Sequence, residues 1–306
     1  MLGGPRALLM QAAHPLVAAG IVDHSGFRQD PWRRLARTMT GLYTIVFGTR
    51  EQAERVGAVT RAAHEQVCGR RGSRSYSAAD PALMLWVHST LVDTGLVMYE
   101  TYVRQLEPAT AEDFYQQMKV VATVFGVPPD VHPLTLADFR AYQRSLLESG
   151  EVRVGPDARA VAASVLAPPA PLPLRPALRA IAAQGAGLLP STLREQYGLS
   201  WTRADGLALR ASSQSCRRLL PLLPPALRQT DRLPMRLLAA FASLGADAVS
   251  DSTAPKGFAA SAPDRNRTSA RGLGNPVRFV GEQGKSLRGV VSGGESPCRA
   301  PGSRGT

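Results

Sequence analysis

The sequence predicts an all-α protein, and three observations carry that reading. Apolar residues recur every three or four positions, as with Leu35, Leu42 and Val46. Helix start signals precede these periodic stretches, and glycines stand where they end. No run alternates apolar and polar residues long enough to build a sheet. With 306 residues, 44% of them hydrophobic and 20% charged, the chain can bury a single large core.

Taken in order, the first 150 residues read as successive helices. Asp30-Pro31 and Asp80-Pro81 each place a capping side chain before a proline at the first helical position. Thr135 with Asp138 resembles a capping box for a helix running to Leu147, with Gly150 as its stop. Gly48 and Gly69 are expected to end two earlier helices, and Gly126 followed by Pro128-Pro129 a third. The proline-rich LAPPAPLPLRP (166–176) interrupts the pattern as a surface connection. Helices resume over 177–248, with breaks at Pro190 and Pro221–Pro225. Beyond Ser250, Gly, Ser, Arg and Pro dominate and periodicity is lost. The expected organisation is one helical domain over 1–249 and a disordered tail over 250–306.

The formal charge is +12. Lys119, Lys256 and Lys285 are the only lysines, and the arginines are scattered rather than gathered in a stripe. The tail carries nine Lys or Arg against four Asp or Glu, so +5 of the charge lies there. This pattern suits a solvated exterior better than a nucleic-acid surface. Cys68, Cys216 and Cys298 are odd in number and far apart. No disulfide framework is expected from them, and a reducing cytoplasm is. No CxxC spacing occurs, so a structural zinc site is not expected. The apolar N-terminus lacks the charged region and uninterrupted apolar run of a signal peptide. Residues 83–99, LMLWVHSTLVDTGLVMY, carry His88 and Asp93 and read as a buried helix rather than a membrane span.

The segment VTRAAHEQVCG (59–69) contains HEQVC, one residue short of a zinc-protease signature. HExxH needs a second histidine four residues on, and Cys68 stands there. A di-iron bundle needs Glu-x-x-His pairs, and no histidine has glutamate three residues before it. Val56, Thr60, His64 and Val67 share one helical face, so His64 lies on or beside an inward stripe. A satisfied core histidine explains this as well as a ligand does. In the preceding helix Arg34, Thr38, Gly41 and Ile45 share a face, with Arg37 beside them and Leu35, Leu42 and Val46 as the apolar stripe. Arginines bordering such a stripe suit a carboxylate held between helices, although an ordinary surface pair has the same spacing. Four of the five histidines (His14, His24, His64 and His88) fall in the first third of the chain. His24 is expected in a polar turn and His88 in the most buried helix. Imidazoles in an apolar cavity beside carboxylate-binding arginines meet the needs of a haem: an axial nitrogen, propionate partners and a dry pocket.

The ordered set GGPRALLMQAAHPLVAAGIVDHSGF (3–27), DPWRRLARTMTGLYTIVFGT (30–49), VTRAAHEQVCG (59–69) and YSAADPALMLWVHSTLVDTGLVMYE (76–100) resembles the rubber-oxygenase and mycophenolate-pathway oxygenase catalytic domain family. Weaker similarity continues through VFGVP (124–128) and GLLPSTLREQYGLSW (187–201). The resemblance implies helices packed in a globin-like style around haem b, with dioxygen as co-substrate and an apolar, isoprenoid or alkene-containing substrate. It carries the axial iron ligand onto His64, and the family's arginine–threonine pair onto Arg34 and Thr38. Arg37 stands where rubber oxygenases have a distal lysine, and His88 joins the expected cofactor pocket. No residue matches the family's proposed glutamate base. His14, His24 or Asp23 is expected in that neighbourhood, with Arg37 as a hydrogen-bond donor. Because the first motif begins at the start of the chain, a preceding helix is also expected. Two other function classes remain in play: a haem-binding or sensing protein without turnover, and a helical interaction module whose His and Arg residues are structural.

Overall fold

The computed structural model describes residues 3–24 and 31–224. Expectations for Asp30, the segment 25–30, residues beyond 224, the tail and its boundary lie outside the described residues. Eleven α-helices are found among them. They are α1 (Gly4–Ala13), α2 (Pro15–His24), α3 (Pro31–Phe47), α4 (Arg50–Glu65), α5 (Pro81–Tyr102), α6 (Pro108–Phe125), α7 (Leu136–Glu148), α8 (Pro156–Leu166), α9 (Arg175–Gly187), α10 (Ser191–Gln196) and α11 (Arg203–Leu219). The protein is all-α in class, as its periodicity predicts.

Most helix boundaries fall where their local chemistry puts them. The Asp80 side chain accepts from the Ala82 and Leu83 amides ahead of α5. Thr135 and Asp138 complete a reciprocal capping box, and Gly126 closes α6 in the left-handed region at φ 102°. Gly69 is the exception. Helix α4 ends at Glu65, and Gly69 sits in a small antiparallel hairpin of β1 (Cys68–Arg71) and β2 (Arg74–Ser77). Arg71 pairs with Arg74 across a two-residue turn, and Gly72 adopts φ 62° at its first position. Strands of four residues are too short to leave a periodic trace in sequence. Cys216 is a free thiol.

The main core gathers around α1. Leu9, Met10, Ala12 and Ala13 pack with Ala18 and Ile21 of α2, Trp86 of α5, Ala158, Val161 and Ala162 of α8, and Leu193 of α10. Small side chains on α1 let neighbouring helices approach closely. Its carbonyls are also used: Tyr197 donates to Leu9 O at 2.7 Å and Trp86 Nε1 donates to Gln11 O at 3.3 Å. A second cluster joins Val92 and Leu96 of α5 to Tyr115 of α6 and Phe139 of α7. Helix α5 is long and apolar enough to cross a membrane, but half of that stretch is buried within the protein. Its packing on both clusters accounts for its apolar composition.

One charged residue ties this core together. Arg6 of α1 is 3% exposed. Its Nη2 meets Asp93 Oδ2 of α5 at 2.6 Å, its Nη1 donates to Thr94 Oγ1 at 2.8 Å, and its Nε donates to Leu188 O beyond α9 at 2.8 Å. Asp93 keeps a water-facing edge, its side chain being 23% exposed.

Replacing Arg6 by Ala strands the Asp93 carboxylate and the Leu188 carbonyl, and is expected to cost about 3 kcal/mol in a urea-unfolding midpoint. A second prediction concerns acid. Burial, reinforced by neighbouring His132, lowers His88 from 6.5 to about 4. As pH falls through that window the unfolded chain takes up a proton that the folded protein refuses, so stability is full above 6.5 and declines toward 4. The loss should be on the order of 3 kcal/mol, and His88→Leu should flatten the fall of melting temperature with pH over this range.

Candidate functional site

Helices α3 and α4 form an antiparallel hairpin joined by Gly48 and Thr49, and Thr49 caps α4 with a capping box to Gln52. Gly41 of α3 lies against Val56 of α4, where a Cβ would be 3.6 Å from Val56 Cγ1. Counting back seven residues to Arg34 and forward eight to His64 spans two turns along each helix. Arg34 and His64 therefore stand at the same level, toward the open end of the hairpin. An exposed cleft lined by Tyr43, Phe47, Gln52 and Val56 lies at the turn end instead.

Helix α4 is held from its other side by α6. Gly57 permits this contact, since a Cβ there would fall 2.5 Å from the Val124 carbonyl. The predicted inward stripe of Val56, Thr60, His64 and Val67 is partly buried at all four positions. The His64 Nδ1 is buried and has no hydrogen-bond partner. Burial also lowers the imidazole below its ordinary value, so at neutral pH the ring is uncharged and keeps a lone pair for a Lewis acid.

The α3 stripe is only half realised. Arg34 and Gly41 are partly buried and Ile45 is buried, but Thr38, Arg37 and Val46 are exposed. Burial, with the nearby Arg37 charge behind it, pulls the Arg34 guanidinium below its usual value. No carboxylate pairs with it among the described residues. A desolvated cation without a counter-charge is unfavourable unless an anion is brought to it.

At the far end of α4 the structure assembles residues from α2 and the hairpin. His24 is the last residue of α2, not part of a turn, and its Nε2 lies 2.9 Å from the Cys68 carbonyl. Because a carbonyl can only accept, Nε2 carries the proton and Nδ1 is left as the basic nitrogen. Tyr76 donates to Asp23 Oδ2 at 2.6 Å, and Arg71 bridges Asp23 at 2.8 Å and Asp157 at 2.9 Å. The Tyr76 hydrogen bond heads the causes that hold Asp23 below its ordinary value. Burial and the Asp23 partner push Tyr76 up to about 12. Sequence reasoning missed Tyr76 and Arg71. Their only signal was their position in and beside the YSAADP stretch.

His14 and His88 do not join this group by any hydrogen bond or ring contact. His14 lies between α1 and α2, with Nε2 3.7 Å from Glu151 Oε1. The ring neighbour of His88 is His132, at 6.0 Å between centroids. Among the described residues no three His, Cys, Asp or Glu side chains gather as a metal cage. A macrocycle that brings four nitrogens of its own asks the protein for only one or two ligands, and a neutral, half-buried imidazole on α4 with an arginine on α3 that has no carboxylate partner among the described residues fits that demand.

Residues 1–218 match the family described as "ER-bound oxygenase mpaB/B'/Rubber oxygenase, catalytic domain". An uncharacterized protein of Mycobacterium bovis and another of Mycobacterium tuberculosis are each 31% identical over 150 residues. That stretch is 47% of this chain and 59% of either relative, so the chain spans about three fifths of the length of the curated relatives it matches. No solved structure matches.

If Arg34 is held for an anion rather than for the fold, Arg34→Met should not destabilise the cofactor-free protein. We expect a gain of about 1 kcal/mol in the denaturation midpoint from removing the uncompensated buried charge.

Proposed function

Since this chain belongs to the family of mpaB and rubber oxygenase catalytic domains, we propose that it is an oxygenase working with haem b, held by His64 as axial ligand and by Arg34 at a propionate. What supports this reading is a half-buried imidazole on α4 whose Nδ1 has no hydrogen-bond partner, together with an arginine about as far along α3 that is desolvated and has no carboxylate partner among the described residues. A bound haem would supply an iron at which dioxygen is activated.

The chain's own residues would do the rest. His64 would offer its Nδ1, which no group among the described residues hydrogen-bonds. Arg34 can grip a carboxylate through two parallel N–H groups. Arg37, exposed one turn further along α3, would close on the outer edge of the same propionate. It stays protonated and cannot act as a base. Thr38 adds a hydroxyl to that rim. His24 is the better base, with Nδ1 free while Nε2 is anchored to the Cys68 carbonyl. Asp23 serves it less well, because Tyr76 and Arg71 already occupy both carboxylate oxygens. His14 and His88 lie away from this site, His14 between α1 and α2 and His88 within α5.

The substrate class we propose is an apolar alkene, including isoprenoid chains. It would reach the site along α3, where Val46 and Phe47 are exposed, Phe47 by 68%. An apolar molecule gains by covering such surface, and the partly buried Leu35 and Leu42 continue the stripe inward. The site is proposed to act in the cytoplasm.

Haem-reconstituted protein given a short polyisoprene oligomer should consume dioxygen and place 18O from labelled dioxygen in carbonyl products. His24→Ala should slow turnover by roughly 100-fold or more while leaving the bound cofactor's spectrum unchanged, as expected for loss of a positioned base. Haem uptake with no product from any alkene, and no oxygen consumption, would favour a binding or sensing role instead.

A further inference from the structure

A second site is suggested where α5, α6 and the turn before α7 meet. His88 projects from the middle of α5, and His132 follows the short 3-10 turn Pro129–Val131. Each is only 6% exposed. The Nε2 atoms of both are buried and have no hydrogen-bond partner. The rings are nearly perpendicular, at 86°, with centroids 6.0 Å apart. Two unpartnered ring nitrogens on neighbouring imidazoles in a core are costly unless a further group satisfies them.

The spacing limits what that can be. A direct N–H···N bond would draw two imidazole centres to roughly 5 Å. One metal ion bound by both Nε2 atoms at about 2 Å would set the ring centres roughly 6 Å apart, a separation compatible with this pair. The backbone carbonyl of Met118 accepts from the His88 ring. Since Nε2 is unpartnered, the proton sits on Nδ1 and the Nε2 lone pair is left for a ligand, the arrangement in which a metal-binding histidine is held.

The surroundings then choose the metal. Neither imidazole has a carboxylate among the groups acting on it; the charge beside His132 is the cation Lys119. Doubly charged ions that want oxygen donors or four ligands are disfavoured in such a place. A soft, singly charged ion that accepts two nitrogens is not. Met84 stands one turn before His88 on the same face of α5, adding a thioether of matching softness to that side. We infer that His88 and His132 form a two-coordinate site for a soft monovalent d10 cation, Cu(I), separate from the His64 site.

The test uses the full chain as purified, loaded anaerobically with Cu(I) buffered by a competing chelator. Wild-type protein should retain one equivalent more than His132→Gln, and His64→Ala should retain as much as wild type. In 15N-histidine spectra of the wild-type protein, two of the five imidazoles should shift on loading, neither being the one lost in His64→Ala. The second measurement needs no folded His132 variant. Equal retention by wild type and His132→Gln, or histidine signals that do not move, would overturn the site and leave the pair bridged by water. Because none of these readouts involves haem or dioxygen, the outcome is independent of the oxygenase reading.

Discussion

A guanidinium buried to 3% exposure must be met by hydrogen bonds on every side, and Arg6 meets its own by drawing three distant segments to one point. Residues 6, 93, 94 and 188 become neighbours through that demand. Once α1 is fixed against α5 and the end of α9, its alanine-rich face sets the depth at which α2 and α8 pack. The energetic logic is of necessity more than gain. A buried charge network adds little over a well-packed apolar core, but breaking it leaves charges that water cannot reach. Such a constraint selects one arrangement of short helices that would otherwise pack in several ways.

The α3–α4 hairpin lies outside this clamp. Helix α3 buries only Ile45 fully, and α4 only Ala53 and Gly57. The two helices touch each other and α6, and toward their open end lie the unpartnered Nδ1 of His64 and the Arg34 guanidinium, which has no carboxylate partner among the described residues. The molecule thus divides into a densely satisfied half and a sparsely satisfied one. Binding sites are drawn from the second kind, because groups poised for a ligand cannot also be spent on the fold. The contrast between Arg6 and Arg34 states the point. Both are arginines on helices among apolar residues, yet Arg6 is fully partnered and Arg34 has no carboxylate among the described residues.

How much of this was legible in sequence depends on range. Caps and stops involve residues three or four apart, so Asp80, Thr135 with Asp138, and Gly126 could be read directly. The inward stripe of α4 was legible for the same reason, since periodicity alone placed His64 beside it. The role of Arg6 was not, because its partners lie 87 and 182 residues away. The Asp23–Tyr76 bond, across 53 residues, was hidden likewise. The hairpin at 68–77 escaped because four-residue strands show no usable alternation. The polar DHSGF suggests a turn at His24, whereas α2 extends through it. The four clustered histidines read as one pocket, but the structure sends them three ways: His14 to Glu151, His88 to His132, and His24 toward the end of α4, where His64 lies.

The central claim is that the open end of the α3–α4 hairpin is a haem site with His64 as the axial ligand. The most direct measurement is an absorption titration of cofactor-free protein with haem, run beside His64→Ala with and without added imidazole. The account predicts saturation at one haem per chain and a Soret band displaced by the substitution. Imidazole, filling the space left by the ring, should restore that band. A protein that takes up no haem, or takes it up with a spectrum indifferent to His64, would contradict it.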